Sequence, residues 1–190
     1  PAGGDAAFAD TTPNAYYAEA VRWAVATGVT TGTSNTTFSP NASMTRAMLV
    51  TVLYRLEGQP AVNGRSGFSD VQYNGYYEDA VTWAADNGIV NGTSTSTFSP
   101  NANVTREQMA AILYRYAQYK KYNTAASSSL NSFSDHTSVS GYAVASLQWS
   151  VAEKLVNGSN GKLMPTGNAT RAQVAAILHR FAENVAKTTK

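Results

Sequence analysis

The chain has no cysteine, so disulfides, thiolate metal sites and cysteine nucleophiles are all excluded. It is poor in charge: only 14% of its 190 residues are Asp, Glu, Lys or Arg, and the net charge is +2. So small a balance offers no long-range field to hold a polyanion, and nucleic acid is not an expected partner. No like-charge run is longer than a pair, and Lys120-Lys121 is the basic one. No apolar stretch approaches the length of a membrane span, so no membrane insertion is expected. Only two histidines occur, His136 and His179, and neither stands at zinc-ligand spacing from a carboxylate pair. No Asp-x-Asp-x-Asp-Gly calcium loop is present; Glu78, Asp79 and Asp86 read as a solvated helix face. Nothing here calls for a cofactor. What the chain has instead is Thr, Ser and Asn, a surface typical of exported proteins. Pro1-Ala2-Gly3-Gly4 is no signal peptide and reads as the start of a mature or trimmed fragment.

One phrase is written three times. Phe8-Ala9-Asp10, Phe68-Ser69-Asp70 and Phe133-Ser134-Asp135 open the copies, and Thr45-Arg46, Thr105-Arg106 and Thr170-Arg171 sit in their second halves. From Asp to Arg the separation is 36 positions every time. Spacing held so tightly marks one structural unit used three times. The expected boundaries are residues 8–60, 68–122 and 133–186. Units this small bury little core alone, so they are expected to pack on one another as one compact body.

Within each unit the periodicity is helical. Tyr77, Ala80, Val81 and Ala84 fall on one face, as do Tyr17, Ala20, Val21 and Ala24. Gly88 and Gly28 follow as left-handed stops; Lys154 stands there in the third copy and must end its helix differently or with strain. A loop rich in Gly, Ser, Thr, Pro and Asn follows, with Phe98 as its expected buried plug. A longer helix then starts at Thr105, where Gln108 completes a capping box; Thr170 and Gln173 repeat it, and Met48 breaks it after Thr45. The stripes Leu49-Val52-Leu53-Leu56, Met109-Ile112-Leu113-Tyr116 and Val174-Ile177-Leu178-Phe181 predict an all-α fold. We expect a central three-helix bundle with pseudo-threefold symmetry, the shorter helices and loops lying outside it. Residues 57–67 read as a loop and 123–129 as a flexible linker.

An Arg at the first turn of three helices is unfavourable against the helix dipole and needs a reason. One is a bound carboxylate, shared between the guanidinium and free helix amides. Another is a salt bridge to Asp10, Asp70 or Asp135; the sequence leaves both open. Trp23, Trp83 and Trp149 are bracketed by apolar positions and read as core rather than sugar-stacking rings. Tyr16, Tyr76 and Tyr142 begin the short helices and suit a rim. Arg55, Arg115 and Arg180 recur in the long helices, where a surface or inter-helix salt bridge is the default. His179, at the place of Tyr54 and Tyr114, reads as structural variation.

These motifs, in this order, resemble the S-layer homology (SLH) repeat: Phe68-Ser69-Asp70-Val71, Ala80-Val81-Thr82-Trp83-Ala84, Gly88-Ile89-Val90-Asn91-Gly92, Phe98-Ser99-Pro100-Asn101 and Thr105-Arg106-Glu107-Gln108. The resemblance spans about residues 8–185. It implies non-covalent anchoring of an exported protein to the bacterial cell wall, with the chain fused to a larger cargo. The implied partner is a secondary cell-wall polysaccharide, often ending in a pyruvylated, acidic sugar, bound in grooves between repeats. The implied groove residues are Arg46, Arg106 and Arg171; Asp10, Asp70 and Asp135; Gly28 and Gly88; Gly32, Gly92 and Gly158; and Gln108 and Gln173, with Tyr76 on a rim. The groove around Arg106 is expected to be the most competent. Two alternatives compete. A glycosidase needs two flanking carboxylates, and only one Asp recurs per unit. A protein-interaction or self-assembly scaffold would draw on Tyr116, Tyr119 and Tyr122.

Overall fold

In each of the three long helices the first turn is closed from outside. α2 (Arg46–Leu56), α4 (Arg106–Tyr119) and α6 (Arg171–Phe181) all begin after a Thr whose side chain accepts from the amide three residues on. Gln108 and Gln173 return the bond to complete two capping boxes; Met48 leaves α2 with the Thr bond alone. Three short helices precede them: α1 (Ala18–Ala26), α3 (Glu78–Asp86) and α5 (Val144–Ala152). A computed structural model describes residues 8–187, so Pro1-Ala2-Gly3-Gly4 lies outside the described residues. Over them the fold is all-α, with isolated bridges between loops but no strand.

The helices pair across units rather than within them. α2 packs on α3 of the second unit, α4 on α5 of the third, and α6 on α1 of the first. The same cyclic order appears in the backbone. Met44 N–H donates to Ala169 C=O, Ala169 N–H to Val104 C=O, and Val104 N–H to Met44 C=O, each at 2.9 Å. These three bonds form a closed ring through one residue of every unit. Each helix pair is sealed by an aromatic contact of the same kind: Tyr54 on Trp83, Tyr114 on Trp149, and His179 on Trp23. His179 thus takes the place of its Tyr counterparts against the Trp ring. Trp83 and Trp149 are buried and Trp23 half-buried, as expected of core rings.

The core stripes are where the periodicity places them. Leu49, Val52, Leu53, Met109, Ile112, Leu113, Tyr116, Val174, Ile177, Leu178 and Phe181 are buried, and Phe98 is fully enclosed. Lys154 resolves the question of the third helix stop by adopting the left-handed turn itself, at φ 58°, beside 72° at Gly28 and 67° at Gly88. It therefore carries the strain that a Cβ incurs there.

Two expectations need correction. Glu78 is not on a solvated face: it is buried, pairs with Arg65 and accepts the Asn74 amide at 2.7 Å. Asp79 and Asp86 are exposed. Residues 123–129 are not a loose tether either. Ser128 N–H donates to Gln148 C=O, Ala126 packs on the core, and exposure alternates residue by residue to the buried Leu130. An extended chain presents every second side chain to one side, so a small-residue segment can lie flat on a helix without a helical pattern.

Candidate functional site

The long-helix arginines reach forward into the next unit's loop. Arg46 Nε donates to Phe98 C=O, Arg106 Nε to Leu163 C=O and Arg171 Nε to Phe38 C=O, each at 2.8 Å. Arg46 and Arg171 commit a terminal nitrogen as well, to Asn91 C=O and Thr31 C=O. Their guanidiniums lie 4.7 Å over the rings of Phe98 and Phe38, a favourable cation–π placement. Both are sealed, at 5% and 6% exposure. Arg106 is half-buried and, among the described residues, hydrogen-bonds only through Nε. Burial draws all three guanidiniums below their usual pKa, but an Arg stays charged in a protein.

The helix amides expected to be free are not. Arg106 N–H donates to Gly167 C=O, Glu107 N–H to Pro165 C=O and Gln108 N–H to Thr105 Oγ1. The first turns of α2 and α6 are closed in the same way, by Ala102 with Pro100 and by Ala42 with Pro40. The N-termini of α2, α4 and α6 therefore offer no anion site.

The three aspartates serve the loops. Asp10 accepts from the amides of Phe38 and Ser39, Asp70 from Phe98 and Ser99, and Asp135 from Leu163 and Met164, all at 2.7–2.8 Å. Among the described residues none pairs with an arginine within salt-bridge distance. The Phe38 amide, chiefly, holds the Asp10 carboxyl below its ordinary range. Desolvation pushes Asp135 up, but the amides of Leu163 and Met164 outweigh it and the net shift is down.

Two open clefts lie at the seams. The larger, about 360 Å³, is bounded by Arg106 of the second unit, Asn157, Gly158, Ser159, Gln173 and Arg180 of the third, and Tyr16 of the first. The other, about 310 Å³, takes Arg171 from the third unit, Thr31, Gly32, Thr33, Met48 and Arg55 from the first, and Tyr76 from the second. Each has two guanidiniums and no Asp or Glu in its lining. Arg55 and Arg180 make no ion pair among the described residues, contrary to the default expectation for them; Arg180 donates to Leu155 C=O. Tyr16 and Tyr76 are 63% and 66% exposed and line the clefts.

Of the residues singled out from sequence, Arg106, Gln173 and Gly158 meet in the first cleft and Arg171, Gly32 and Tyr76 in the second. Asp10, Asp70, Asp135, Gly28, Gly88, Gly92, Gln108 and Arg46 line neither. Gly32, Gly92 and Gly158 are demanded by packing: a Cβ there would strike Phe8, Phe68 or Phe133. The contact between the second and third units carries a further difference. Glu107, where the other units have Ala47 and Ala172, is buried and binds Ser140 N–H, Ser140 Oγ and the Tyr142 hydroxyl. Sequence inspection gave Asn157, Ser159, Thr31 and Thr33 no site role; their signal was only position, next to a loop Gly.

Among the described residues no group of three His, Asp or Glu could hold a metal, and no helix is long and apolar enough to cross a membrane. Residues 7–47, 67–110 and 132–175 each match the S-layer homology domain. The chain is 34% identical over 182 residues to the surface-layer 125 kDa protein of Lysinibacillus sphaericus, covering 92% of this chain and 15% of that protein. It is 35% identical over 159 residues to an endoglucanase of Bacillus sp. strain KSM-635 (83% and 17%), and 34% identical over 157 to an amylopullulanase of Thermoanaerobacterium thermosulfurigenes (80% and 8%). It thus spans less than a fifth of each. Three tandem matches on three interlocked units leave one assignment: the chain belongs to the S-layer homology domain family and is a cell-surface module.

Proposed function

We propose that this module holds a larger exported protein on the bacterial cell wall by binding acidic termini of a wall polysaccharide in its inter-unit clefts. The observation that carries this is the Arg106–Arg180 cleft, open, free of lining carboxylates, and furnished with a guanidinium whose terminal nitrogens have no partner among the described residues. A sugar carboxylate, such as a pyruvate ketal, matches that fork in geometry and charge. Asn157, Ser159 and Gln173 supply hydroxyl partners, and the Tyr16 ring a face for the pyranose. The Arg171–Arg55 cleft, whose Arg171 is already committed to Phe38 and Thr31, is the weaker site. Two sites on one polymer multiply retention through effective concentration.

Binding rather than catalysis is the function assigned. Glycoside hydrolysis needs a pair of carboxylates at the bond, and neither cleft lining has even one. Relatives named as enzymes align over a small share of their length, so this module would be their attachment rather than their chemistry. The scaffold reading loses its residues: Tyr116 is buried, and Tyr119 and Tyr122 pack into an aromatic cluster with Trp83 and Phe181.

The test is sedimentation with purified walls before and after acid extraction of the secondary polymer. The protein should pellet with intact walls and stay in solution with stripped peptidoglycan, and Arg106→Ala should weaken wall binding by about tenfold or more. Equal pelleting with stripped walls ends the proposal.

A further inference from the structure

At the tip of each loop the Arg of the preceding unit meets one large apolar residue. In the first and second units this residue is phenylalanine, Phe38 and Phe98; in the third it is Leu163. All three are buried plugs held alike, N–H to an Asp and C=O to an Arg Nε. The arginines facing them nevertheless differ. Over the two rings the guanidinium carbon lies 4.7 Å from the ring centroid, and a terminal nitrogen is bonded to a second loop carbonyl. Leu163 offers no ring, the counterpart carbonyl of Asn157 takes no bond among the described residues, and Arg106 is the least buried of the three.

We propose that Leu163 sets the ligand competence of the Arg106 cleft: lacking an aromatic face, it leaves the Arg106 guanidinium unstacked and able to turn its terminal nitrogens to an acidic saccharide. Leu163 is a positioning residue, acting through Arg106. A guanidinium lying on a ring and bonded to two carbonyls must break those contacts before it can take a bidentate carboxylate. One held by Nε alone pays no such cost. The same comparison makes Phe38 and Phe98 restraints that hold Arg171 and Arg46 back. The assignment rests on the reading of these clefts as acidic-saccharide sites, but its structural half can be tested without any sugar.

The experiment has two arms. In the first, the intact protein is treated briefly with phenylglyoxal, digested, and each arginine's modification followed by mass spectrometry. Arg106 should react several-fold faster than Arg46 and Arg171. Leu163→Phe should slow Arg106, and Phe98→Leu, which only removes volume, should speed Arg46. Equal rates in the wild type, or no change at Arg46 in Phe98→Leu, overturn the proposal; the latter would put the cause in the third loop, which is one residue shorter from Gly158 to Arg171 than from Gly32 to Arg46 or Gly92 to Arg106. In the second arm, binding of a methyl hexoside carrying a pyruvate ketal is measured by calorimetry. Leu163→Phe should weaken it about five- to tenfold, and Phe98→Leu should leave the Arg106 cleft untouched. Wild-type binding that survives Leu163→Phe unchanged sinks the inference while sparing the anchoring reading. A wild type that binds no ketal in this arm, yet shows the predicted arginine rates, fails that reading and with it the ligand half of the inference.

Discussion

Asp70 and Arg46 hold one residue from opposite sides: Phe98 gives its N–H to the Asp70 carboxylate and its C=O to the Arg46 guanidinium. The two charges belong to different units and do not touch, yet each fixes the same peptide. Asp10 with Arg171 does this at Phe38, and Asp135 with Arg106 at Leu163. The recurrent Asp and Arg are therefore joined by function through a shared loop residue.

Removing the Asp end of this clamp has a definite cost. Asp70→Ala leaves the Phe98 and Ser99 amides without their acceptor. A charge-assisted pair of this kind is worth about 1.5–3 kcal/mol. Asp70→Asn, which keeps one acceptor oxygen, should lose less. Urea unfolding of the two variants should rank them in that order, and equal stability would show the loop to be held by Arg46 and packing alone.

Acid should loosen the loops. The Asp10 and Asp135 carboxyls titrate below the ordinary aspartate range in the folded protein, held down by the loop amides that donate to them. A depressed carboxyl stabilises the fold above its unfolded pKa, and that stability fades as pH falls through the folded value. The melting temperature should hold level above about pH 5 and decline below about pH 4. Asp10→Asn with Asp135→Asn should flatten the decline, as read by circular dichroism melts across pH. An unchanged slope in the double variant would place the acid sensitivity elsewhere.

Gly92 and Lys154 should respond in opposite ways to substitution. At Gly92 a Cβ would sit 2.5 Å from Thr97 C=O and 2.7 Å from Phe68 Cε1. Gly92→Ala should destabilise by about 2–3 kcal/mol, because backbone and a packed ring must both move. At position 154 a Lys already occupies the left-handed turn that Gly28 and Gly88 serve. Lys154→Gly should stabilise by about 1 kcal/mol by releasing that strain. Chemical denaturation of both variants checks the pair; a destabilised Lys154→Gly would mean the Lys side chain compensates.

Much of this was legible beforehand, because the signals were local and repeated three times. Thr105 with Gln108 announces a capping box whatever surrounds it, and the spacing of Met109, Ile112 and Leu113 names the buried face. The site was harder to read. Whether Arg106 is free depends on Leu163, which lies 57 residues away in another unit. Spacing cannot report which unit's carbonyls close a helix terminus, so the amides of α4 looked open when Gly167 and Pro165 fill them. Glu78 misled for a similar reason: its partner Arg65 lies in a loop with no periodicity to place it.

The ring of backbone bonds through Met44, Val104 and Ala169, together with clamps that start in one copy and end in the next, offsets the heritable module from the written one. Selection on a seam reads half of one copy and half of its successor. Excising a single copy would open that ring and leave a clamp arginine without the loop carbonyl it holds.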